Sequence, residues 1–154
     1  MKEYVFEKSV LISNAEIDDL WLFHADTNNL PAISPPFPFV RLLEISDIPL
    51  KKGSRIKLRV NFIIFSSVWE IEIADAQRPD FVTDNQLKGI FRKFYHVHKF
   101  EKTAEGVLMT DHITYSPPFP FLPGLQNIFA KIQLNQMFSL RHKKTKEYFE
   151  RKIK

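Results

Sequence analysis

Two histidines and an aspartate, His96, His98 and Asp111, are the residues of this chain best suited to chemistry. Alternate side chains of a β-strand point to the same face, so the histidines share a face with Phe94 and Phe100. Lysines occupy positions of the opposite face and favour water. The two imidazoles are therefore expected to point inward, between aromatic rings.

Asp111 is expected beside His96. A turn at residues 102–106 would join two antiparallel strands, and positions whose numbers sum to about 207 or 208 would then lie opposite each other. Asp111 would face residue 96 or 97. A carboxylate hydrogen-bonded to an imidazole can orient a general base, and the same pair can satisfy two buried polar groups. The sequence therefore leaves two roles open for His96 and Asp111. They could transfer a proton in catalysis, or they could stabilise the fold or contact a ligand.

A metal site at His96, His98 and Asp111 is a further hypothesis. Rings at positions i and i+2 of a strand point the same way, so both imidazoles could bind one ion. The neighbouring residues are aromatic, and no second dense cluster of His, Asp or Glu supports such a site. We therefore expect no metal and no cofactor. The chain has no cysteine, no phosphate-binding glycine loop and no recognisable nucleophile arrangement.

Composition indicates a soluble globular protein. The 154 residues are 44% hydrophobic and 26% charged, and one domain over 1–154 is the simplest organisation. No signal peptide or membrane-spanning run is recognised, so a cytoplasmic protein without membrane insertion is expected. The fifteen phenylalanines suit either a dense core or a walled apolar cavity.

Positive charge is concentrated at the C-terminal end. The net charge is +4, and residues 141–154 hold most of the excess of Lys and Arg. Cations near the end of a helix are favoured by its dipole. A solvated helix end is therefore expected rather than a nucleic-acid surface. Arg141 is expected to face solvent, and contact with a ligand carboxylate or with Glu or Asp is the alternative.

Alternation and turn signals predict about seven strands, at residues 3–12, 39–45, 56–64, 69–73, 81–88, 90–101 and 107–115. Two short helices follow the first strand, the first ending near His24, which is expected to be a satisfied boundary residue. The proline-rich segment 116–124 should form a lid or rim. A long helix over 125–150 then covers one face of a curved antiparallel sheet, which makes the fold α+β.

An ordered set of short segments runs through nearly the whole chain. They are Ile17-Asp-Asp-Leu-Trp21-Leu-Phe23, Asn28-Asn-Leu30, Ser34-Pro35, Gly53-Ser-Arg-Ile56, Trp69 with Ile71, Phe81 with Asp84 and Gln86, Gly89 through Phe100, Asp111, Tyr115, Pro118, and Met137-Phe138-Ser-Leu-Arg141. This set resembles the START/Bet v 1-like helix-grip superfamily, in its SRPBCC, polyketide cyclase/dehydrase-like branch. The chain departs from that pattern at Gly89-Ile90-Phe91 and in its proline-rich loop.

The resemblance implies a hydrophobic cavity between the sheet and the C-terminal helix. We expect it to bind a small apolar or amphipathic molecule, such as a lipid, without turnover, in a monomer or homodimer. The residues expected to line it are Trp69, Ile71, Phe94, Phe100, Met109 and Ile113, with His96, His98, Asp111 and Tyr115 at the ligand's polar end. One alternative is a cyclase or dehydratase that uses His96 and Asp111 as an acid/base pair, and another is a protein-interaction module with a filled core.

Overall fold

Seven antiparallel strands form one curved sheet, in the order β1-β7-β6-β5-β4-β3-β2. The structure, a computed structural model, describes residues 1–151. The strands are β1 (Tyr4–Ser13), β2 (Phe39–Ile45), β3 (Arg55–Asn61), β4 (Ser66–Gln77), β5 (Phe81–Lys88), β6 (Lys93–Thr103) and β7 (Gly106–Ser116). The predicted number and order of strands are confirmed. The predicted bounds differ in places, since β3 ends at Asn61 and not at residue 64, and β6 begins at Lys93 and not at residue 90.

Side-chain alternation places most of the buried apolar strand residues on the concave face. In β3, Ile56, Leu58 and Val60 are buried, whereas Arg55 and Arg59 between them are exposed. A strand with one wet face and one dry face requires this period of two. The concave face is therefore lined by apolar side chains that another layer must cover.

One long helix covers the concave face. Helix α1 (Ile17–His24), a 3₁₀ turn (Thr27–Asn29) and helix α2 (Leu30–Ile33) follow β1, and helix α3 (Pro123–Arg151) ends the described chain. Proline is well tolerated in the first turn of a helix, which explains why α3 begins two residues before the predicted start. Its buried residues recur at a spacing of three or four: Leu134, Phe138, His142, Thr145 and Phe149.

The register between β6 and β7 differs from the prediction. Thr103 pairs with Gly106, so the turn is tighter than expected and His98, rather than residue 96 or 97, lies opposite Asp111. Gly106 has φ of +148°, and a Cβ there would lie 2.2 Å from the carbonyl oxygen of Ile12. Only glycine fits this close approach to β1, and it lets the two strands join within two residues.

Two buried apolar clusters lie beneath the helices. One includes Phe100 and extends under α1, and the other joins Ile113 and Tyr115 to Leu134 and Phe138 of α3. Within residues 1–151, no helix is long and apolar enough to cross a membrane.

Ile113 belongs to the core, so shortening it should destabilise the protein. Its side chain is 0% exposed, and an Ile113→Ala change should lower the free energy of unfolding by about 2–5 kcal/mol. Ile64, which is 88% exposed, is the matched control, and Ile64→Ala should change stability by less than about 0.5 kcal/mol. Urea denaturation measures both, and equal losses would contradict the assignment of Ile113 to the core.

Candidate functional site

A cavity of about 750 Å³ lies between the concave face of the sheet and α3. Its wall is mainly apolar and includes four of the predicted lining residues: Trp69, Ile71, Phe94 and Met109. The side chains of His96, His98 and Asp111 also line it. The segments Pro35–Pro38 and Pro118–Phe119 contribute to the wall near α3, where the predicted rim was expected.

Phe100, Ile113 and Tyr115, which were also expected to line the cavity, are not part of its wall. The Phe100 ring packs against the ring of His24, with centroids 5.3 Å apart. The Tyr115 hydroxyl donates a hydrogen bond to Asn127 Oδ1 at 2.6 Å, so it fastens β7 to α3. Burial raises the pKa of Tyr115 to about 12. Ile113 and Tyr115 are covered by α3, whereas most strand residues of the cavity wall belong to β2 to β6.

Asp111 is the centre of the polar end of the cavity. Its carboxylate is hydrogen-bonded to His96 Nε2 at 2.7 Å and to His142 Nε2 at 2.5 Å. A third imidazole nitrogen, His98 Nδ1, lies 2.8 Å from Asp111 Oδ1. Asp111 is only 2% exposed, so these histidines replace the water that the carboxylate would otherwise bind.

Asp84 on β5 forms a second carboxylate on the cavity side of the same histidines. His98 Nε2 is hydrogen-bonded to Asp84 Oδ2 at 3.3 Å, and His96 Nδ1 lies 3.8 Å from the same oxygen. Asp84 pairs with His96 across the β5–β6 register. The side chains of His96 and His98 thus lie between two carboxylates, one buried in the core and one partly open to the cavity.

The two carboxylates and their burial determine the charge of each group. Burial alone would raise the pKa of Asp111, but the hydrogen bonds from His142 and His96 and the contact with His98 hold it well below its ordinary value. Burial lowers the pKa of His98, but Asp111 and Asp84 outweigh it and raise that pKa to about 10. Burial, together with the nearby charge of His98, lowers the pKa of His96. At neutral pH His98 is therefore the imidazolium between two anions.

Arg141 lies in the cavity wall, contrary to the expectation that it faces solvent. Its guanidinium carbon is 5.3 Å from the centre of the Phe138 ring, and its Nε has no hydrogen-bond partner among the described residues. Burial lowers its pKa, although Asp111 and Asp84 oppose this. Arginine stays protonated in proteins, so this end of the cavity holds a fixed cation beside the two carboxylates.

His24 occupies the helix end as predicted but also borders the cavity. Its Nδ1 lies 3.0 Å from the carbonyl oxygen of Leu20, and its ring centroid lies 5.6 Å from that of His98. Burial, and then the charge of His98, lowers the pKa of His24 to about 4. The ring is therefore neutral at physiological pH.

Sequence reasoning missed His142 and the role of Asp84. His142 was hidden in a basic segment that was interpreted as a solvated helix end. Its signal was the helical spacing that it shares with Leu134 and Phe138, because residues four apart lie on one helix face. Asp84 carried no signal beyond its place in the family pattern.

Replacing the Asp111 carboxylate should destabilise the fold. An Asp111→Asn change leaves His142 and His98 without their anion, and removing one partner of a buried charge cluster costs about 3–5 kcal/mol of unfolding free energy. Glu7→Gln makes the same chemical change at the exposed His112–Glu7 pair, where the Nδ1–Oε2 distance is 2.8 Å, and should cost less than about 1 kcal/mol. Chemical denaturation measures the free energy of unfolding of both variants. If Asp111→Asn loses no more stability than Glu7→Gln, Asp111 does not have the central role assigned to it.

The fold is similar to that of solved structures at low sequence identity. The Zhui aromatase/cyclase from Streptomyces sp. R1128 matches with a TM-score of 0.76 at 16% identity, over 99% of this chain and 97% of that chain. Ms6760 from Mycobacterium smegmatis matches at 0.72 and 15% identity, over 96% and 92%. Ara h 8.0201 matches at 0.66 and 14%, over 96% and 98%. No protein-family model and no curated protein matches the sequence. The chain has the START/Bet v 1-like helix-grip fold.

Proposed function

We propose that this protein binds a small, mostly apolar molecule with an anionic or hydrogen-bonding end in its internal cavity, without transforming it. The observation that carries this proposal is the segregation of the cavity wall. Apolar side chains from the sheet and α3 form most of it, and three of its ionised groups, Asp84, His98 and Arg141, lie near one another in the same wall.

The size of the cavity supports a ligand of moderate mass. Binding sites for small molecules commonly measure about 300–1,000 Å³ and hold a few polar groups in a largely apolar wall. At about 750 Å³ the cavity lies within that range, and its presence argues against a filled core. Burial of the ligand's apolar part would supply most of the affinity.

Arg141 is the group best placed to select the polar end. Its Nε is buried without a partner in the described chain, which is costly unless something else accepts its hydrogen bond. A carboxylate, sulfonate or phenolate oxygen on the ligand would satisfy it. We therefore favour an amphipathic ligand over a purely apolar one.

An acid/base enzyme, such as a cyclase, is the second candidate. The 2.7 Å contact between His96 Nε2 and Asp111 Oδ1 favours it, since this is how a general base is oriented, and one of the structural neighbours is an aromatase/cyclase. Against it, His96 is 4% exposed and directs one nitrogen to Asp111 and the other toward Asp84. Little of this imidazole is left to reach a substrate, so we rank binding first.

Filling the cavity should abolish binding. Ala130 lines it, so Ala130→Trp places an indole in the space that the ligand would occupy. The neutral fluorophore N-phenyl-1-naphthylamine should bind the unchanged protein and bind Ala130→Trp at least about tenfold more weakly. Ala104→Trp, in the exposed β6–β7 turn, is the control and should bind normally. Fluorescence titration and mass spectrometry of organic extracts measure this. Equal binding by all three proteins would place the probe outside the cavity.

Removing the charge of Arg141 should weaken the binding of an anionic probe but not the binding of a neutral probe with the same ring system. 1-Anilinonaphthalene-8-sulfonate carries an anion that N-phenyl-1-naphthylamine lacks. Because a hydrogen bond to a charged group contributes about 1.5–3 kcal/mol, Arg141→Met should weaken binding of the sulfonate about 10- to 100-fold and leave the neutral probe within about threefold. Arg92→Met at an exposed position is the control. Parallel loss of both probes would mean that Arg141 only supports the fold.

A further inference from the structure

Three side chains on neighbouring strands converge on one point of the cavity wall. His96 Nδ1, His98 Nε2 and a carboxylate oxygen of Asp84 all lie within 4.8 Å of one another. Two of these residues belong to β6 and the third to β5, which pair directly. The donors are therefore held by hydrogen-bonded strands and not by loops.

We infer that Asp84, His96 and His98 form a binding site for a divalent transition-metal ion, with its remaining coordination positions open to the cavity. Two imidazoles and one carboxylate are a donor set that Zn²⁺, Co²⁺ and Fe²⁺ accept. Such an ion would polarise or hold the ligand's oxygen atoms. This inference does not depend on the proposed binding function.

The distances need only small adjustments to accept an ion. Donor atoms about 2.1 Å from a metal lie roughly 3–3.6 Å from one another at angles near 90–110°. The Asp84 oxygen is already 3.3 Å from His98 Nε2 and 3.8 Å from His96 Nδ1. A cation would take the place of the proton that now lies between His98 and Asp84.

Asp111 positions both imidazoles from the far side. His96 Nε2 lies 2.7 Å from Asp111, and its Nδ1 lies 3.8 Å from Asp84. His98 Nδ1 lies 2.8 Å from Asp111, and its Nε2 lies 3.3 Å from Asp84. Metal-ligating histidines commonly direct the second ring nitrogen to a carboxylate or carbonyl, which fixes the ring orientation and makes the ligand more basic.

Access also favours a cation. A metal ion would displace the proton of the His98 imidazolium, and the carboxylates of Asp84 and Asp111 would then face the ion and the guanidinium of Arg141. The side chains of Asp84 and His98 are 20% and 16% exposed, so an ion can reach them from the cavity, whereas Asp111 is closed off. The sequence-based expectation of no metal considered His96, His98 and Asp111, and it lacked the ligand contributed by β5.

Metal titration of the purified protein tests this site directly. After treatment with a chelator, Co²⁺ and Zn²⁺ are titrated in turn, with calorimetry for stoichiometry and the visible absorption of Co²⁺ for geometry. We expect one ion per chain and a Co²⁺ absorption spectrum typical of nitrogen and oxygen ligands. Addition of Zn²⁺ should displace the Co²⁺ and abolish this spectrum. Asp84→Asn and His98→Gln should each weaken Co²⁺ binding at least about tenfold, and Asp111→Asn about 10- to 100-fold.

His112→Gln is the control, because His112 lies on the opposite face of β7 and pairs with Glu7. It should leave Co²⁺ affinity unchanged, and near-ultraviolet circular dichroism should show that the Asp84→Asn protein is folded. Absence of stoichiometric Co²⁺ binding by the unchanged protein, or unaltered affinity in folded Asp84→Asn, would overturn the inference. Titration of the same samples with N-phenyl-1-naphthylamine separates failure of the metal site from failure of ligand binding.

Discussion

The buried carboxylate of Asp111 is the constraint on which the rest of this molecule depends. An ionised group removed from water must be compensated by charged or hydrogen-bonding neighbours. Here the compensation comes from three imidazoles on two elements, with His96 and His98 on β6 and His142 on α3. These buried ionic contacts join the sheet to the helix, in addition to the hydrogen bonds of Tyr115 to Asn127 and of Lys8 to Asn135. Together with the apolar packing they fix the position of α3 relative to the concave face.

The cavity follows from the shape of the two layers. A long helix cannot contact a curved sheet along its whole width. Contact is close on the β1 and β7 side, where Tyr115 and Phe138 pack, and the cavity opens toward β2 to β6. The polar cluster lies at the boundary between the packed and open regions. Asp111 belongs to the packed side and Asp84 to the open side, and His96 and His98 connect them. Residues on the packed side of this boundary stabilise the fold, and residues on the open side are available to contact a ligand.

The local sequence pattern was enough to predict the strands and the inward direction of their side chains. It was not enough to predict the strand register or the residues that α3 contributes to the site. Strand alternation correctly directed Phe94, His96 and His98 inward, because a period of two is a property of the backbone itself. The β6–β7 register was misjudged because it depends on Gly106 and its contact with β1, which no local pattern encodes. His142 and Arg141 were missed because their orientation depends on how α3 is rotated about its axis against the sheet. Cavity lining was overassigned for Phe100 and Tyr115, since core and cavity wall share one face and one composition.

The strand order has a consequence for how the chain reaches this state. The pairings from β2 to β7 join strands that are consecutive in the sequence, whereas β1 pairs with β7 across about a hundred residues, as between Ser9 and Thr110. Long-range pairings require loop closure before they gain contact energy, and they form slowly. Asp111 lies opposite Lys8 in that distant pairing and receives its last partner from α3. His96, His98 and Asp111 come from consecutive strands, but the His142 contact forms only once α3 packs on the sheet, so the complete cluster is a reporter of completed folding.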